Sequence, residues 1–442
     1  MLNSLLSFGS MFFACLPVLA GPWLFGAWEM WWFWPFAVCL FVSLALFAVR
    51  LVVAPAGALP EIRRRRPAAW LAATYGLFLL YALLRLLGAD VFADAERSFL
   101  LFLTPLLLGV VIVFGFSGRQ LRVLGALVAV NLLALGLYGI INHFVTYDEK
   151  VLWEAGYPQY IGDGRATGSY FCPNHFAGIM ELALAAALGA LLARGARWRR
   201  RGMALALGAV AVCAIVLSKS RGGGLSAGVV FLFALAWGFG QWRGRVRWAL
   251  RTAAVLAVAA AALAVAVKGR GYIERFQEYP WQQTEAMDRY QMISAALRAW
   301  RTAPVAGIGP GMHQNIWTHI AASPDGDRAR GKWPSAPNYT FHSYEVHSDW
   351  TQLLEEYGIV GLFLFAIPAG VLIWILMWGR KRALRRQAES RDPEAYGAIL
   401  TALFAFVAMA FHSLGDFNMQ MPATVWTLAA ILSIPLAHVL RE

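Results

Sequence analysis

Long runs of apolar residues separated by short polar segments dominate the hydrophobic pattern of this chain. Each run is about twenty residues long, which as a helix crosses a hydrocarbon core of about 30 Å. The runs do not alternate between apolar and polar positions, so the pattern excludes a membrane β-barrel and favours helices. The runs lie at 5–26, 32–53, 68–88, 99–116, 121–143, 174–193, 203–218, 223–239, 248–267, 350–378, 396–412 and 422–440. The sequence therefore predicts an all-α polytopic membrane protein with about twelve transmembrane helices.

Arginine residues indicate which loops face the cytoplasm. By the positive-inside rule, loops rich in Arg and Lys are cytoplasmic and the alternate loops lie outside. This places both termini in the cytoplasm and also accounts for the net charge of +13, so we do not expect nucleic-acid binding. The basic loops contain Arg63–Arg66, Arg119 with Arg122, Arg194–Arg201, Arg243–Arg251 and Arg380–Arg391.

Two external segments are too long to be simple turns, which indicates that they have a function. The larger one contains apolar positions at helical spacing between Trp281 and Trp300, which predict an amphipathic helix on the membrane or on the outer face of the protein. The stretch Ala306–Gly311 follows no strand and lacks a Gly-Lys-Ser/Thr ending, so it predicts a turn. The predicted parts are helices 1–5 at 1–143, a segment at 144–173, helices 6–9 at 174–267, the large segment at 268–349 and helices 10–12 at 350–442.

A short external loop, Ser218–Arg221, departs from the charge pattern because it carries two cations, Lys219 and Arg221. Arg221 lies just before a helix that begins with Gly222–Gly224. Free N–H groups, the helix dipole and close backbone approach favour an anion at such a position. The structural alternative is an arginine that extends to lipid headgroups.

His347 lies just before the tenth predicted helix, with Ser348 as the predicted N-cap and Asp349 in the first turn. Near neutral pH a histidine there can act as an uncharged base toward a hydroxyl, or it can merely satisfy the helix end. The histidines of the large segment do not have zinc-site spacing and the four cysteines form no ligand motif, so we expect neither a metal nor a cofactor. These histidines are His313, His319, His342 and His347.

Other polar groups also lie on the external side. In the last external loop, His412 and Asp416 could line an acceptor site or cap the helices beside them. Glu181 lies inside the sixth predicted helix, and we expect it to pair with an arginine. The aromatic cluster around Trp28 is interpreted as an interfacial anchor.

Four segments in this order resemble the O-antigen ligase and polymerase superfamily, over about residues 160–365. Many members have Asn directly after the histidine of the last segment, where this chain has Ser348. The segments are Arg165-Ala-Thr-Gly168-Ser with Pro173-Asn174; Ser220-Arg221-Gly222-Gly223; Arg289 through Leu297 with Pro304–Gly309; and His347-Ser-Asp-Trp-Thr-Gln-Leu-Leu-Glu-Glu-Tyr-Gly358-Ile-Val-Gly361.

The resemblance implies a transferase of the bacterial inner membrane that moves a glycan from undecaprenyl diphosphate to an acceptor sugar in the periplasm. Arg221 and Arg289 would stabilise the departing diphosphate, since guanidinium groups suit phosphate oxygens. His347 would deprotonate the acceptor hydroxyl, giving inversion without a metal. Further candidates for binding the diphosphate or the acceptor are Arg165, Arg275, Asn174, Lys219, His412 and Asp416.

Several activities remain compatible with these residues. A ligase would transfer the glycan to the lipid A-core, a polymerase would transfer it to another carrier-linked repeat, and a protein-directed member to Ser or Thr. We favour the first two. A transporter of the same lipid would more often show an internal repeat and charges near the bilayer midplane, and the chain shows neither. The expected partners are the carrier-linked glycan, its acceptor and membrane lipids.

Overall fold

The computed structural model describes residues 2–53, 62–145, 164–193, 198–241, 284–321, 343–388 and 393–441, and these residues confirm the all-α class. Ten of the described helices are long and apolar enough to cross a membrane, and α8 has a shorter apolar run. The predicted helix at 248–267 lies outside the described residues, as does Arg275. The helices are α1 Leu2–Ala20, α2 Met30–Val53, α3 Arg65–Leu87, α4 Phe92–Val110, α5 Gly118–Val145, α6 Pro173–Leu192, α7 Trp198–Ser218, α8 Arg221–Gln241, α9 Thr284–Thr302, α10 His313–Ala321, α11 Asp349–Ala388, α12 Pro393–His412 and α13 Pro422–Arg441.

The membrane helices alternate in direction, so that the arginine-rich loops meet at one end of the bundle. There the N–H of Arg64 donates to the carbonyl of Leu440 at 3.0 Å. At the same end, Arg200 of α7 pairs with Glu394 of α12 at 2.7 Å. We call this the arginine-rich end, and the opposite end, where α6, α8 and α11 begin, the site end.

Helix α6 lies at the centre of the bundle and packs against α7, α8 and α12. Its small residues allow this close packing: a Cβ on Gly189 would lie 2.2 Å from Thr401, and a Cβ on Gly178 would lie 2.2 Å from Asn418. Close approach through small residues is how membrane helices gain packing energy, because lipid provides no hydrophobic drive between them. As a result, α6 holds its polar residues at the site end away from lipid.

Helix α11 is broken at Gly358, where the sequence pattern predicts an uninterrupted helix. Gly358 has φ +67° and ψ −173°, a conformation open essentially to glycine alone. A break inside a membrane frees backbone groups that must find other partners. The loop between α9 and α10 supplies these partners, through four hydrogen bonds: Ile308 N–H to Glu355 O at 2.9 Å, Gly309 N–H to Glu356 O at 3.0 Å, Ile359 N–H to Pro304 O at 3.0 Å and Val360 N–H to Val305 O at 3.2 Å.

The predicted amphipathic helix is present as α9, but its buried face differs from the predicted one. The pattern placed Tyr290 and Ile293 on the apolar face, whereas Tyr290 is exposed and Ile293 only half-buried. The buried stripe is made by Met292, Ala295, Ala296 and Ala299. Small alanines face inward because α9 packs against α10 and α11 rather than presenting large apolar groups to lipid.

Candidate functional site

Asp416, in the loop between α12 and α13, is the centre of a cluster of cationic and imidazole groups. Its carboxylate is 1% exposed. One oxygen lies 3.3 Å from Nη2 of Arg289, and the other lies 3.6 Å from Nε2 of His175 and 3.7 Å from Nδ1 of His347. The carbonyl of Gly415 accepts a further hydrogen bond from Arg289 at 3.1 Å. The structure thus brings together Arg289, His347 and Asp416, which are distant in sequence.

The charge state of Asp416 follows from these neighbours. Burial alone would raise the pKa of this carboxyl, because it disfavours the charged form. The Arg289 guanidinium and the imidazoles of His175 and His347 outweigh burial and hold the pKa well below its ordinary value. Asp416 is therefore an anion throughout the physiological pH range.

The backbone of His347 is held in an uncommon conformation, with φ +57°. A non-glycine residue in the left-handed region is strained and needs its neighbours fixed. On one side, the N–H of Val346 donates to Gln352 at 3.1 Å. On the other side, Asp349 N–H donates to Asp416 O at 3.2 Å, and Ser348 Oγ accepts from Thr351 N–H at 3.4 Å. Ser348 is thus the N-cap predicted from the sequence, and the cap fixes the direction of the imidazole.

Phe417 packs edge-on against both imidazoles of the cluster. Its ring centroid lies 4.5 Å from that of His347 and 4.4 Å from that of His175. Trp28 lies 5.8 Å from Phe417, and the Arg97 guanidinium stacks over Trp28 at 4.2 Å. Trp28 was predicted to be an anchor only, but it forms part of the wall of this site. The side chain of His347 remains 24% exposed.

Arg221 is half-buried at the first position of α8. Ser220 caps α8 by accepting the N–H of Gly223 at 3.1 Å. A Cβ on Gly222 would lie 2.8 Å from Nε2 of His412, so this imidazole lies directly against the first turn of the helix. Gly224 N–H also donates to the carbonyl of Ser220 at 2.9 Å, and the anion site predicted at this turn stays a prediction.

Glu181 pairs with His412, so the prediction that it pairs with an arginine is wrong. Its carboxylate lies 2.6 Å from Nδ1 of His412 and accepts a hydrogen bond from Ser226 at 2.6 Å. A buried acid inside the bundle takes the partners that adjacent helices bring to it, and α8 and α12 bring a hydroxyl and an imidazole. His412 is 2% exposed, so its contacts are with the protein rather than the cavity mouth.

Arg165 and Asn174 form a buried bridge between chain segments. Arg165 donates from Nε to the carbonyl of Ser218 at 2.9 Å and from Nη2 to Oδ1 of Asn174 at 2.7 Å. These bonds tie the segment before α6 to the end of α7. Lys219 follows directly, with φ +49°, so the bridge also shapes the turn that leads to Arg221.

A buried acidic network that sequence reasoning missed supports the other side of the site. Gln352 donates to Glu345 at 2.5 Å and to Glu356 at 3.1 Å. Burial raises the pKa of Glu345, and the Arg97 guanidinium opposes this shift only in part. Nδ1 of His313 lies 2.9 Å from the carboxylate of Glu355, so this histidine has a partner within the protein. Glu355 and Glu356, two acids in the otherwise strongly apolar helix α11, were the sequence feature from which this network could have been predicted.

A cavity of about 320 Å³ lies beside this site: its lining includes Asp349, whose N–H donates to Asp416, but not Arg289, His347 or Asp416. Polar side chains, including Asp349 and Glu356, line its site end. Toward the other end the lining is almost entirely apolar and reaches Ala68 and Leu440 near the arginine-rich end. The site therefore adjoins an apolar space that runs along the bilayer normal.

A protein-family model described as O-antigen ligase matches residues 206–366 of this chain. The matched range contains Arg221, Arg289 and His347, and it ends just after the break at Gly358. Arg165 and Asp416 lie outside it. The match confirms the family resemblance that the sequence predicted. Among curated proteins, no sequence match was found.

Proposed function

We propose that this multi-pass membrane protein, whose residues 206–366 match the O-antigen ligase family, transfers a glycan from a polyprenyl diphosphate carrier to an acceptor hydroxyl. The carrier would be undecaprenyl diphosphate in the bacterial inner membrane, and the site would face the periplasm. The proposed acceptor is a sugar of the lipid A-core, with a second carrier-linked repeat as the alternative.

One observation carries this proposal: a buried carboxylate, Asp416, lies within 3.3 Å of Arg289 and within 3.7 Å of His347. A transfer of this kind needs a cation for the departing diphosphate and a base for the incoming hydroxyl. Both must be close enough to act on one anomeric carbon. A shared carboxylate meets this requirement because it holds the two side chains in one pocket.

Arg289 and Arg221 are the proposed ligands of the diphosphate. The bond between the anomeric carbon and the phosphate oxygen breaks in this reaction, and negative charge grows on that oxygen. Fixed cations in a site with little water stabilise such charge without further reorganisation. Arg221 would add its guanidinium to the N–H groups of the first turn of α8.

His347 is the proposed base. Its Nδ1 is directed toward Asp416, which leaves Nε2 to take the proton of the acceptor hydroxyl. The hydroxyl oxygen would attack from the face opposite the diphosphate, and the product would have inverted configuration. Asp416 would stabilise the imidazolium that forms, in the role that a carboxylate has beside a catalytic histidine.

The apolar cavity supports a donor with a long hydrocarbon chain. It adjoins the polar cluster through Asp349 and Gln352 and then continues between apolar side chains of α3, α4, α11 and α13. A polyprenyl chain placed there would have its diphosphate at the site end. This arrangement matches an amphipathic donor better than a soluble sugar nucleotide.

Transfer by purified protein tests the proposal. The assay combines detergent-solubilised protein, a polyprenyl-diphosphate-linked glycan and lipid A-core, and follows the product by mass spectrometry. We expect His347→Ala to form essentially no product while His438→Ala, at the arginine-rich end, retains wild-type activity. Normal transfer by a folded His347→Ala variant would refute the assigned base.

Glycan profiling of a deletion strain distinguishes the two acceptors. Uncapped lipid A-core with long carrier-linked chains would indicate a ligase. Chains that stop at one repeat would indicate a polymerase. In reconstituted vesicles, movement of the lipid-linked glycan across the bilayer without any transfer would instead indicate a transporter.

A further inference from the structure

The arginine-rich end contains a cluster of cations and aromatic rings that the proposed transfer reaction does not use. Arg64, directly before α3, stacks over Trp378 of α11 with its guanidinium carbon 4.9 Å from the ring centroid. Arg382, one turn further along α11, stacks over the same indole at 4.1 Å. Two guanidinium groups thus share one aromatic ring, although like charges repel. An anion within reach of both guanidinium groups would reduce that repulsion.

The second observation concerns the partners that these two cations have among the residues that the structure describes. Within the described residues, neither Arg64 nor Arg382 forms an ion pair with a carboxylate. The Nε atom of Arg64 is buried without any hydrogen-bond acceptor, and so is the Nε atom of Arg441 nearby. A buried donor without an acceptor is unfavourable, so a ligand that supplies oxygen acceptors would bind favourably.

The cluster is continuous with the apolar cavity. The N–H of Arg64 donates to the carbonyl of Leu440, and the side chain of Arg441 donates to the carbonyl of Val113. Leu440 and Val113 both line the cavity, together with Ala68 and Ala72 of α3. Charged groups and an apolar space therefore adjoin each other, as an amphipathic ligand requires.

The depth of the cluster matches a lipid headgroup. Trp70 of α3 and Trp374 of α11 stack on each other at 6.1 Å about one turn deeper in the bundle, and both are exposed on the outer surface. Exposed tryptophans mark the boundary between the hydrocarbon core and the headgroups. Arg64 and Arg382 then lie at the level of the phosphates of the adjacent leaflet.

We infer that Arg64, Trp378 and Arg382 bind the phosphate of an anionic phospholipid, and that one acyl chain of this lipid enters the arginine-rich end of the cavity. Guanidinium groups bind phosphate oxygens through paired hydrogen bonds, and the indole keeps both groups oriented. A zwitterionic lipid would bind less well, because its choline or ethanolamine cation would face the same arginines. The phosphate site itself takes no part in the proposed glycan transfer, but the acyl chain would share the cavity with the proposed polyprenyl chain, whose diphosphate would lie at the opposite end.

Native mass spectrometry tests the headgroup part. Purified protein is titrated with phosphatidylglycerol or phosphatidylcholine, and the retained lipid is counted. We expect wild type to retain phosphatidylglycerol preferentially. The variant with both Arg64→Gln and Arg382→Gln should bind it about twenty-five-fold more weakly, from about five-fold for each guanidinium. The control Arg66→Gln removes an exposed arginine from the first turn of α3 and should bind normally.

Two outcomes would overturn the assignment. One is equal retention of phosphatidylglycerol by the double variant and the control. The other is equal retention of the two lipids by wild type. The single variant Arg382→Gln provides the same comparison if thermal unfolding shows that the double variant is not folded.

Photo-labelling tests the acyl-chain part. A phosphatidylglycerol with a diazirine on one acyl chain should label cavity residues such as Ala72 and Leu436 in wild type. Labelling confined to the outward-facing Trp70 and Trp374 would show that the chain stays in the surrounding bilayer, and would refute entry into the cavity.

Discussion

Gly307 and Gly358 face each other backbone to backbone, and neither has space for a side chain. A Cβ on Gly307 would lie 2.4 Å from the backbone of Glu356, and a Cβ on Gly358 would lie 2.3 Å from the carbonyl oxygen of Val305. Both residues also have positive φ. This contact attaches the loop after α9, the helix that carries Arg289, to α11, the helix that follows His347. The contact therefore helps to set the distance between Arg289 and His347.

Gly358→Ala should destabilise the protein by about 1–3 kcal/mol, because alanine would be strained at this φ and would collide with Val305. Gly370→Ala is the matched control in the same helix, since a Cβ there meets nothing within 4 Å. Thermal unfolding in detergent should show a lower melting temperature for the first variant and no decrease for the second. Equal melting temperatures would mean that the break in α11 tolerates a side chain.

Asp416→Asn should reduce kcat for glycan transfer by up to about 10⁴-fold, the loss seen when the carboxylate beside a catalytic histidine is replaced by an amide. The amide retains the shape of the side chain but loses the charge that holds Arg289 and His347 together. Steady-state kinetics on the purified variant measure the effect, with the exposed Asp90→Asn variant as the control. A folded Asp416→Asn protein with unchanged kcat would exclude this carboxylate from the reaction.

Gly222→Ala should impair transfer without a comparable loss of stability. The new methyl group would lie 2.8 Å from Nε2 of His412, so it would displace either this imidazole or the first turn of α8 with Arg221. Gly228→Ala, two turns along the same helix, meets nothing within 4 Å and should be neutral. The comparison of donor KM and kcat for the two variants measures the effect. Identical kinetics would show that the first turn of α8 does not contact the donor.

The folding stability of the Glu345→Gln variant relative to wild type should increase as pH rises. Burial raises the pKa of Glu345, so its protonated form stabilises the fold at low pH. That contribution is lost as pH rises through the folded-state pKa, whereas the neutral amide is unaffected. Melting temperatures between about pH 5 and about pH 8 should therefore shift in favour of the variant. A difference from wild type that stays constant with pH would contradict this assignment, and Asp90→Asn provides the baseline.

Local patterns were sufficient to predict most of the helices and one end of the site. Apolar runs of membrane-spanning length predict helices in any context, because backbone groups in lipid must bond within the segment. Ser348 was predicted as an N-cap from local sequence alone, because a serine directly before an apolar helix with an acid in its first turn is typical of a helix start. The glycines of α8 predicted an anion at its first turn, which stays a prediction, whereas the contact of Gly222 with His412 was not predicted.

The contacts between distant segments could not be predicted in this way. The partner of Glu181 is His412, and the group that joins Arg289 to His347 is Asp416, and these pairs are separated by more than a hundred residues or by several helices. Likewise, the apolar face predicted for α9 includes the buried Ala296 but also the exposed Tyr290, because α9 packs against α10 and α11 through small residues.

The sequence by itself determined the class and most of the described helices, since hydrophobic length acts locally. Loop charge predicted the side of the membrane on which the candidate residues lie, and this stays a prediction. The tertiary structure decided which polar groups meet. A buried charge or hydrogen-bonding group is stable only beside a partner, and helix packing alone sets which partner is within reach. Asp416 shows this: its chain neighbours give no sign of the guanidinium and the two imidazoles that the fold places around it.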